Sequence, residues 1–185
     1  MVRVTSSKHI KSAREVALDC LSRRALTHYE LETRLKEKGY ESSEVNDLLE
    51  NMKKLGYLND QELALTVSQN RLKRYSRRRV LLDLQNRGFE PQVVEQALEF
   101  TYSSDAEIQQ CLTLAKRWWV QEGKRWDQKN CRDSTKKLLP RELSLQQKIA
   151  RKLVQRGYPS DMVRSVLYQI QTCTNADDGT EDPSV

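Results

Sequence analysis

The chain has 185 residues with a formal net charge of +6, and 37% of its residues are hydrophobic while 31% are charged. A single large core would lack apolar side chains, so the composition favours several small modules over one big globular domain. The basic excess favours an acidic partner, such as nucleic acid or an assembly containing it. No segment reaches the ~18 apolar residues of a membrane helix and no secretory signal is seen, so we expect a cytoplasmic protein without membrane contact.

The predicted elements are helices throughout, because apolar residues recur at helical spacing and no alternating β-branched run indicates a strand. In chain order the helices are expected near 8–23, 28–38, 43–55, 60–74, 77–87, 91–101, 105–121, 144–156 and 160–170. They group into three-helix repeats at 8–57, 58–102 and 103–172, with an insert near 118–143 and a disordered acidic tail at 173–185. The expected fold is all-α, with three tandem three-helix, helix-turn-helix-like repeats forming an elongated, curved molecule.

The second helix of each repeat ends with a cation, a glycine and an aromatic residue. The copies are Lys38-Gly39-Tyr40, Arg87-Gly88-Phe89 and Arg156-Gly157-Tyr158, and a leucine precedes each glycine by four residues. Glycine enters the left-handed conformation without a Cβ penalty, and the leucine and aromatic are the contact pair of a Schellman ending. The cation suits the negative end of the helix dipole. The motif therefore predicts a helix stop and an exit direction, with the apolar positions around it serving as core.

The sequence also predicts where several helices begin. Capping boxes are predicted at Thr27 to Glu30, Asn59 to Glu62 and Ser104 to Glu107. After each repeated glycine, a serine or a proline is expected to begin the next helix, the serine as N-cap and the proline as the first helical residue. These three residues are Ser42, Pro91 and Ser160, and their register is open by one residue.

An enzyme is not expected. The four cysteines (Cys20, Cys111, Cys131 and Cys173) lie far apart, and the chain has two histidines, His9 and His28. We therefore predict reduced thiols and no metal site. The glycines are never closer than 17 residues, so no phosphate-binding loop is formed, and no nucleophile motif is present. We predict no catalytic residues and no cofactor.

The strongest candidate site is residues 71–79, which we name the basic run, with six bases and no acid. Its candidate residues are Arg71, Lys73, Arg74, Tyr75, Arg77, Arg78 and Arg79. Guanidinium groups bind phosphate in a salt-sensitive way, and an aromatic ring among bases is placed to stack on a nucleobase or an apolar partner surface. The alternative interpretation is a solvated helix end.

Two weaker candidates accompany the basic run. In the insert, Lys124, Arg125 and Trp126 are candidates for partner contact, while Trp118 and Trp119 are expected to belong to the core. The third candidate is the pair Arg23 and Arg24 at the end of the first helix. Cations at this position are also explained by the helix dipole alone.

The junction of the first two repeats carries the most specific motif. It reads LGYLNDQELA from Leu55 to Ala64, continues with Asn70 and Arg71, and ends in Arg87-Gly88-Phe89. Together with the tandem repeats, it resembles the RecX family of bacterial recombination regulators over about 10–170. The chain departs from the family pattern at Asn59, where Asp is usual, at Leu63, where Phe is common, and at Ser76-Arg77, where Gly-Pro often lies.

The resemblance implies a protein that binds the RecA filament on single-stranded DNA and restrains strand exchange, ATP hydrolysis and co-protease activity. It further implies roles in DNA recombination, DNA repair and the SOS response. Contacts to the DNA phosphate backbone and a monomeric state are expected with it. The alternative is a helix-turn-helix-type transcription factor, because the second helices offer base-reading side chains such as Arg34, Gln85 and Arg151. The resemblance and the lack of a dimerisation segment favour the filament regulator.

Overall fold

The computed structural model describes residues 11–130 and 140–177. Every regular element among these residues is an α-helix, which confirms the all-α prediction. The helices are α1 (Ala13–Arg23), α2 (His28–Glu37), α3 (Ser42–Lys54), α4 (Asp60–Leu72), α5 (Arg77–Asn86), α6 (Pro91–Thr101), α7 (Ser104–Asn130), α8 (Arg141–Gln155) and α9 (Ser160–Asp177). None of the helices described is long and apolar enough to cross a bilayer.

The predicted bounds hold closely from α2 to α6, whereas α1 begins at Ala13 with Ser12 as its N-cap and not near residue 8. The other departures are in the last third of the chain. Helix α7 continues through Gly123 to Asn130, so the first part of the predicted insert is an extension of a helix. Helix α9 continues to Asp177, so the first residues of the predicted tail are helical. The remainder of the insert at 131–139 and of the tail at 178–185 lies outside the described residues, as do Cys131 and His9.

The chain divides into two compact units, and the helices of the middle repeat contribute to both. Unit 1 comprises the described residues up to Thr66 together with Asp83–Ala97, and unit 2 comprises Val67–Leu82 and the described residues from Leu98 onward. The predicted boundaries of the three repeats stay a sequence-based interpretation.

The core of unit 1 is built from the helical faces that the repeat predicts. Leu31 and Leu35 of α2 and Leu49 of α3 are fully buried, and Val16 and Ala17 of α1 pack in the same cluster. The predicted capping box of α2 is present. Removing such aliphatic side chains from water stabilises a fold by about 1.5–3 kcal/mol each, so these positions are structural.

The core of unit 2 joins α7, α8 and α9. Ile149 and Leu153 of α8 are fully buried in a cluster with Val163 and Val166 of α9 and Cys111 of α7. Burial raises the pKa of the Cys111 thiol to about 12, so this group stays protonated at neutral pH. Trp118 and Trp119 pack against the same cluster and are half-buried.

The repeated glycines end their helices as predicted. In the first copy the Tyr40 N–H donates to Leu35 O at 3.3 Å and the Gly39 N–H donates to Lys36 O at 2.9 Å, which is the Schellman pattern. The copies at Gly88 and Gly157 show the same two hydrogen bonds, and all three glycines have a positive φ. A fourth ending of this type, at Gly56, was not predicted from the sequence.

Helix starts follow the predicted positions with two corrections of one residue. Pro91 is the first residue of its helix, as predicted for an N1 proline. Ser42 and Ser160 are also first residues and not N-caps, because Glu41 and Pro159 precede them in that position. At α7 the predicted capping box from Ser104 to Glu107 is wrong by one residue. The Ala106 N–H in the first turn donates to the hydroxyl of Ser103 at 3.2 Å, so Ser103 is the capping residue. The Glu107 carboxylate accepts instead from a backbone N–H of the basic run.

Candidate nucleic-acid interface

The basic run forms the end of α4, a tight turn and the start of α5, all within unit 2. Helix α4 ends at Leu72, and the turn is closed by the N–H groups of Arg74 and Tyr75, both donating to Arg71 O at 2.9 Å. The buried Ser76 then caps the N-terminus of α5, because its hydroxyl accepts from the Arg79 N–H at 3.2 Å. Serine therefore provides the N-cap where the related family often has a Gly-Pro pair.

The backbone of this turn is fixed by hydrogen bonds from the rest of unit 2. The carbonyl oxygens of Lys73, Arg74 and Tyr75 accept from Gln110 Nε2 at 2.7 Å, Arg156 Nη1 at 3.1 Å and the Tyr102 hydroxyl at 3.3 Å, respectively. The N–H groups of Ser76 and Arg77 donate to Arg156 O at 3.1 Å and Glu107 Oε1 at 2.7 Å. Five consecutive residues of the run thus have their main chain bound.

The first turn of α5 carries three cations where a helix favours acids. Arg77, Arg78 and Arg79 are all exposed, and this turn contains no acidic residue. The positive end of the helix dipole repels cations by about 0.3–1 kcal/mol each, so helix stability does not explain these arginines. The helix N-terminus and the three guanidinium groups instead concentrate positive potential on one exposed turn, which suits an anionic partner.

Cations and aromatic rings alternate beside the basic run, in a set that we name the cation–aromatic ladder: Arg71, Tyr75, Arg156, Trp118 and Lys152. The guanidinium carbons of Arg71 and Arg156 lie 5.1 and 5.0 Å from the centroid of the Tyr75 ring. Arg156 also lies 5.6 Å from the Trp118 ring, as does the Lys152 Nζ. These distances are within the range of cation–π attraction, so the ladder is a continuous set of contacts.

The ladder ends at a buried carboxylate. The Glu122 side chain is 8% exposed and lies 2.6 Å from Lys152 Nζ, 2.8 Å from Arg125 Nη1 and 3.9 Å from Lys148 Nζ. The hydrogen bond from Lys152 lowers the pKa of this carboxyl, and the charge of Arg125 lowers it further. Glu122 therefore fixes the lysine end of the ladder on α7.

Replacing Glu122 with glutamine should destabilise unit 2 at neutral pH and matter less in acid. A folded-state pKa below the ordinary 4.5 means that the ionised form stabilises the fold above that pH, and the contribution is lost as pH falls through the folded value. We expect Glu122→Gln to lower the free energy of unfolding by about 1–3 kcal/mol at pH 7. Chemical denaturation at pH 7 and pH 3.5, with the exposed Glu99→Gln as control, checks this. A deficit equally large at both pH values would contradict it.

The other predicted site residues are distributed over both units. In unit 1, Arg23 pairs with Asp19 at 3.0 Å and Arg24 with Glu30 at 3.5 Å. In unit 2, Lys124 and Arg125 are exposed on α7, while Trp126 is half-buried. Tyr75, predicted as a stacking platform, is half-buried, and its ring contacts two guanidinium groups.

Sequence reasoning missed the residues that surround the basic run. Arg156, Lys152 and Glu107 are separated from it by tens of residues, so no local pattern places them there. The sequence signal that points to Arg156 is the cation before the repeated glycine, and the helix dipole also accounts for a cation at that position. The structure shows that this cation contacts the start of an earlier helix.

That contact occurs twice, and we name it the Arg-Gly joint. In unit 1, Arg87 binds Glu30 through Nε at 3.0 Å and Nη2 at 3.1 Å, and Arg87 O accepts from the Thr27 hydroxyl at 2.9 Å. In unit 2, Arg156 binds Arg74 O and Ser76 N–H. In both cases the end of one second helix contacts the start of the second helix of the preceding repeat.

Comparison with known proteins supports the resemblance seen in the sequence. Residues 13–51 match the model of "RecX, first three-helix domain". Regulatory protein RecX of Caldanaerobacter subterraneus is 32% identical over 100 residues, covering 54% of this chain and 51% of that protein. The chain thus spans about half the length of that relative. Regulatory protein RecX of Legionella pneumophila (strain Corby) is 25% identical, and the match covers 84% of this chain and 93% of that protein. The crystal structure of RecX from Lactobacillus salivarius has a TM-score of 0.65 at 19% identity, covering 86% of this chain and 95% of that one, and shares the fold. The resemblance to the RecX family is confirmed.

Proposed function

From its resemblance to the RecX family, we propose that this protein regulates the RecA recombinase by binding the RecA filament on single-stranded DNA. Its main effect is inhibition, so that strand exchange, ATP hydrolysis and co-protease activity of the filament are restrained. The surface that makes this contact is the basic run, which the cation–aromatic ladder of unit 2 supports from the side. DNA phosphates and acidic side chains of the filament are the groups that this surface fits.

The first turn of α5 carries the proposal. Three exposed arginines lie there against the helix dipole, on a backbone that hydrogen bonds fix in place. An arrangement that costs stability locally is characteristic of a functional site. A fixed backbone also reduces the entropy lost when the arginines bind, which makes each contact more favourable.

The insert residues extend this surface in a weaker form. Arg125 is 69% exposed although it pairs with Glu122, so its guanidinium reaches solvent and a partner. Lys124 is exposed on the adjacent position of α7. Arg23 and Arg24 are left out of the proposed surface, because ion pairs and the helix dipole account for both.

A binding experiment tests the proposal against the transcription-factor alternative. Fluorescence anisotropy of the protein with a labelled single-stranded oligonucleotide, bare or coated with RecA, is compared with duplexes of several sequences at two salt concentrations. We expect the tightest binding to the RecA-coated strand, with an affinity that falls as salt rises. Tight, salt-resistant binding to one duplex sequence, with no preference for the RecA-coated strand, would contradict the proposal.

A further inference from the structure

We propose that Arg156 is a positioning residue: it orients the basic run for partner binding through the Arg-Gly joint of unit 2. The inference rests on the proposed function of the run. Arg156 lies at the end of α8, about eighty residues further along the chain, yet it binds the turn through both its main chain and its side chain.

The two contacts fix successive parts of the turn. Arg156 O accepts a hydrogen bond from the Ser76 N–H at 3.1 Å, which fixes the N-cap residue of α5. Arg156 Nη1 donates to Arg74 O at 3.1 Å, which fixes the residue before the Tyr75 ring. One residue at the end of α8 therefore fixes two points on the path of the chain from α4 into the three arginines.

The guanidinium plane of Arg156 serves a second purpose. It lies 5.0 Å from the Tyr75 ring and 5.6 Å from the Trp118 ring, so it contacts one ring of the turn and one ring of α7. A flat, weakly hydrated guanidinium stacks on such rings while its edge donates hydrogen bonds, and an ammonium group lacks this geometry. Lysine at this position would keep the charge and lose the double contact.

The main chain at Gly157 packs closely against the start of α5. A Cβ added at Gly157 would lie 2.6 Å from Ser76 Oγ and 2.9 Å from Arg79 Cβ. The main chain after Arg156 thus packs directly on the N-cap of α5 and on one arginine of its first turn. The end of α8 and the start of the basic run are in one rigid contact.

Unit 1 provides the matched control. Arg87 occupies the same place in the other Arg-Gly joint, with contacts to Glu30, Thr27 and Ala25 O. The helix that it contacts, α2, has an acid and no arginine in its first turn. Removing Arg87 therefore breaks a joint of the same kind without touching the basic run.

The experiment compares Arg156→Gln, Arg156→Lys and Arg87→Gln with the wild type and with the triple change Arg77→Glu, Arg78→Glu and Arg79→Glu. Affinity is measured by anisotropy on a labelled single-stranded oligonucleotide, bare and RecA-coated, over a range of salt, and folding is monitored by circular dichroism. We expect Arg156→Gln to weaken binding about tenfold and Arg156→Lys at least about threefold. For Arg156→Lys the slope of log K against log salt should also become less steep, although no charge is removed. Each phosphate contact that the run loses reduces the magnitude of this slope by about 0.7.

Arg87→Gln should lower the thermal stability and leave affinity and slope unchanged. Wild-type affinity and slope for Arg156→Lys would overturn the inference, since Arg156 would then act only as a charge. Equal weakening by Arg87→Gln would overturn it too, because general destabilisation would explain both. Failure of the proposed function has a different signature: the wild type does not prefer the RecA-coated strand, or the triple variant binds as well as the wild type.

Discussion

Reversing Arg77, Arg78 and Arg79 to glutamate should weaken binding to the RecA-coated single strand by roughly 10²-fold, because three contacts of about 1 kcal/mol each are lost. The fold should be unaffected. The side chains are exposed, and glutamates in the first turn of α5 interact favourably with the helix dipole. Titration of the filament with wild type and variant, together with far-ultraviolet circular dichroism, measures both properties.

A control with the same change in net charge separates this site from general electrostatic attraction. Arg14, Lys38 and Lys54 are exposed in unit 1, and their reversal to glutamate also lowers the net charge by six. We expect this control to weaken binding only a few-fold, through long-range attraction that salt screens. If the two triple variants lose affinity equally, the basic run is not the site.

Alanine at Gly88 or Gly157 should destabilise the protein more than alanine at Gly39. All three glycines have a positive φ, so each substitution costs about 1–2 kcal/mol in backbone strain. A new Cβ at Gly88 would also lie 2.7 Å from Tyr29 Cβ, and at Gly157 2.6 Å from Ser76 Oγ, whereas nothing lies within 4 Å at Gly39. The overlap adds about 1–3 kcal/mol.

Equilibrium denaturation of the three single variants tests this difference. The Gly39→Ala variant serves as the control, because it carries the same backbone strain without a neighbour to displace. A similar loss of stability in all three would mean that the joints are loose enough to accommodate a side chain. The Arg-Gly joint would then have no role beyond ending a helix.

Local signals in the sequence predicted the helices and their ends well. The spacing of Leu31, Leu35 and Gly39, and of the corresponding residues in the other copies, contained the buried face, the stop and the exit direction. Each of these depends on residues within one or two turns, and local backbone geometry is determined at that range. The fourth ending at Gly56 follows the same rule, but it lies outside the second helices that the repeat comparison aligned.

The surroundings of the candidate site were beyond local signals. The basic run itself is visible as a cluster of charges, but the residues that fix it come from the α6–α7 connection, from α7 and from the C-terminal end of α8. Arg156 and Arg87 are each followed by a glycine and an aromatic residue, yet one binds a basic turn and the other binds Glu30. Only tertiary packing decides which helix start each arginine meets. The continuation of helix α7 through Gly123 was also not predicted. Gly123 is buried, and a Cβ added there would lie 3.0 Å from Arg141 Nη2.

The rate of DNA-dependent ATP hydrolysis by RecA, titrated with this protein, tests the central claim most directly. A filament on single-stranded DNA in excess ATP is titrated with the wild type and, separately, with the variant in which residues 77–79 are glutamate. We predict that the wild type reduces the rate in a saturable way and that the variant requires roughly 10² times more protein for the same effect. An unchanged rate at saturating wild-type protein would contradict the account.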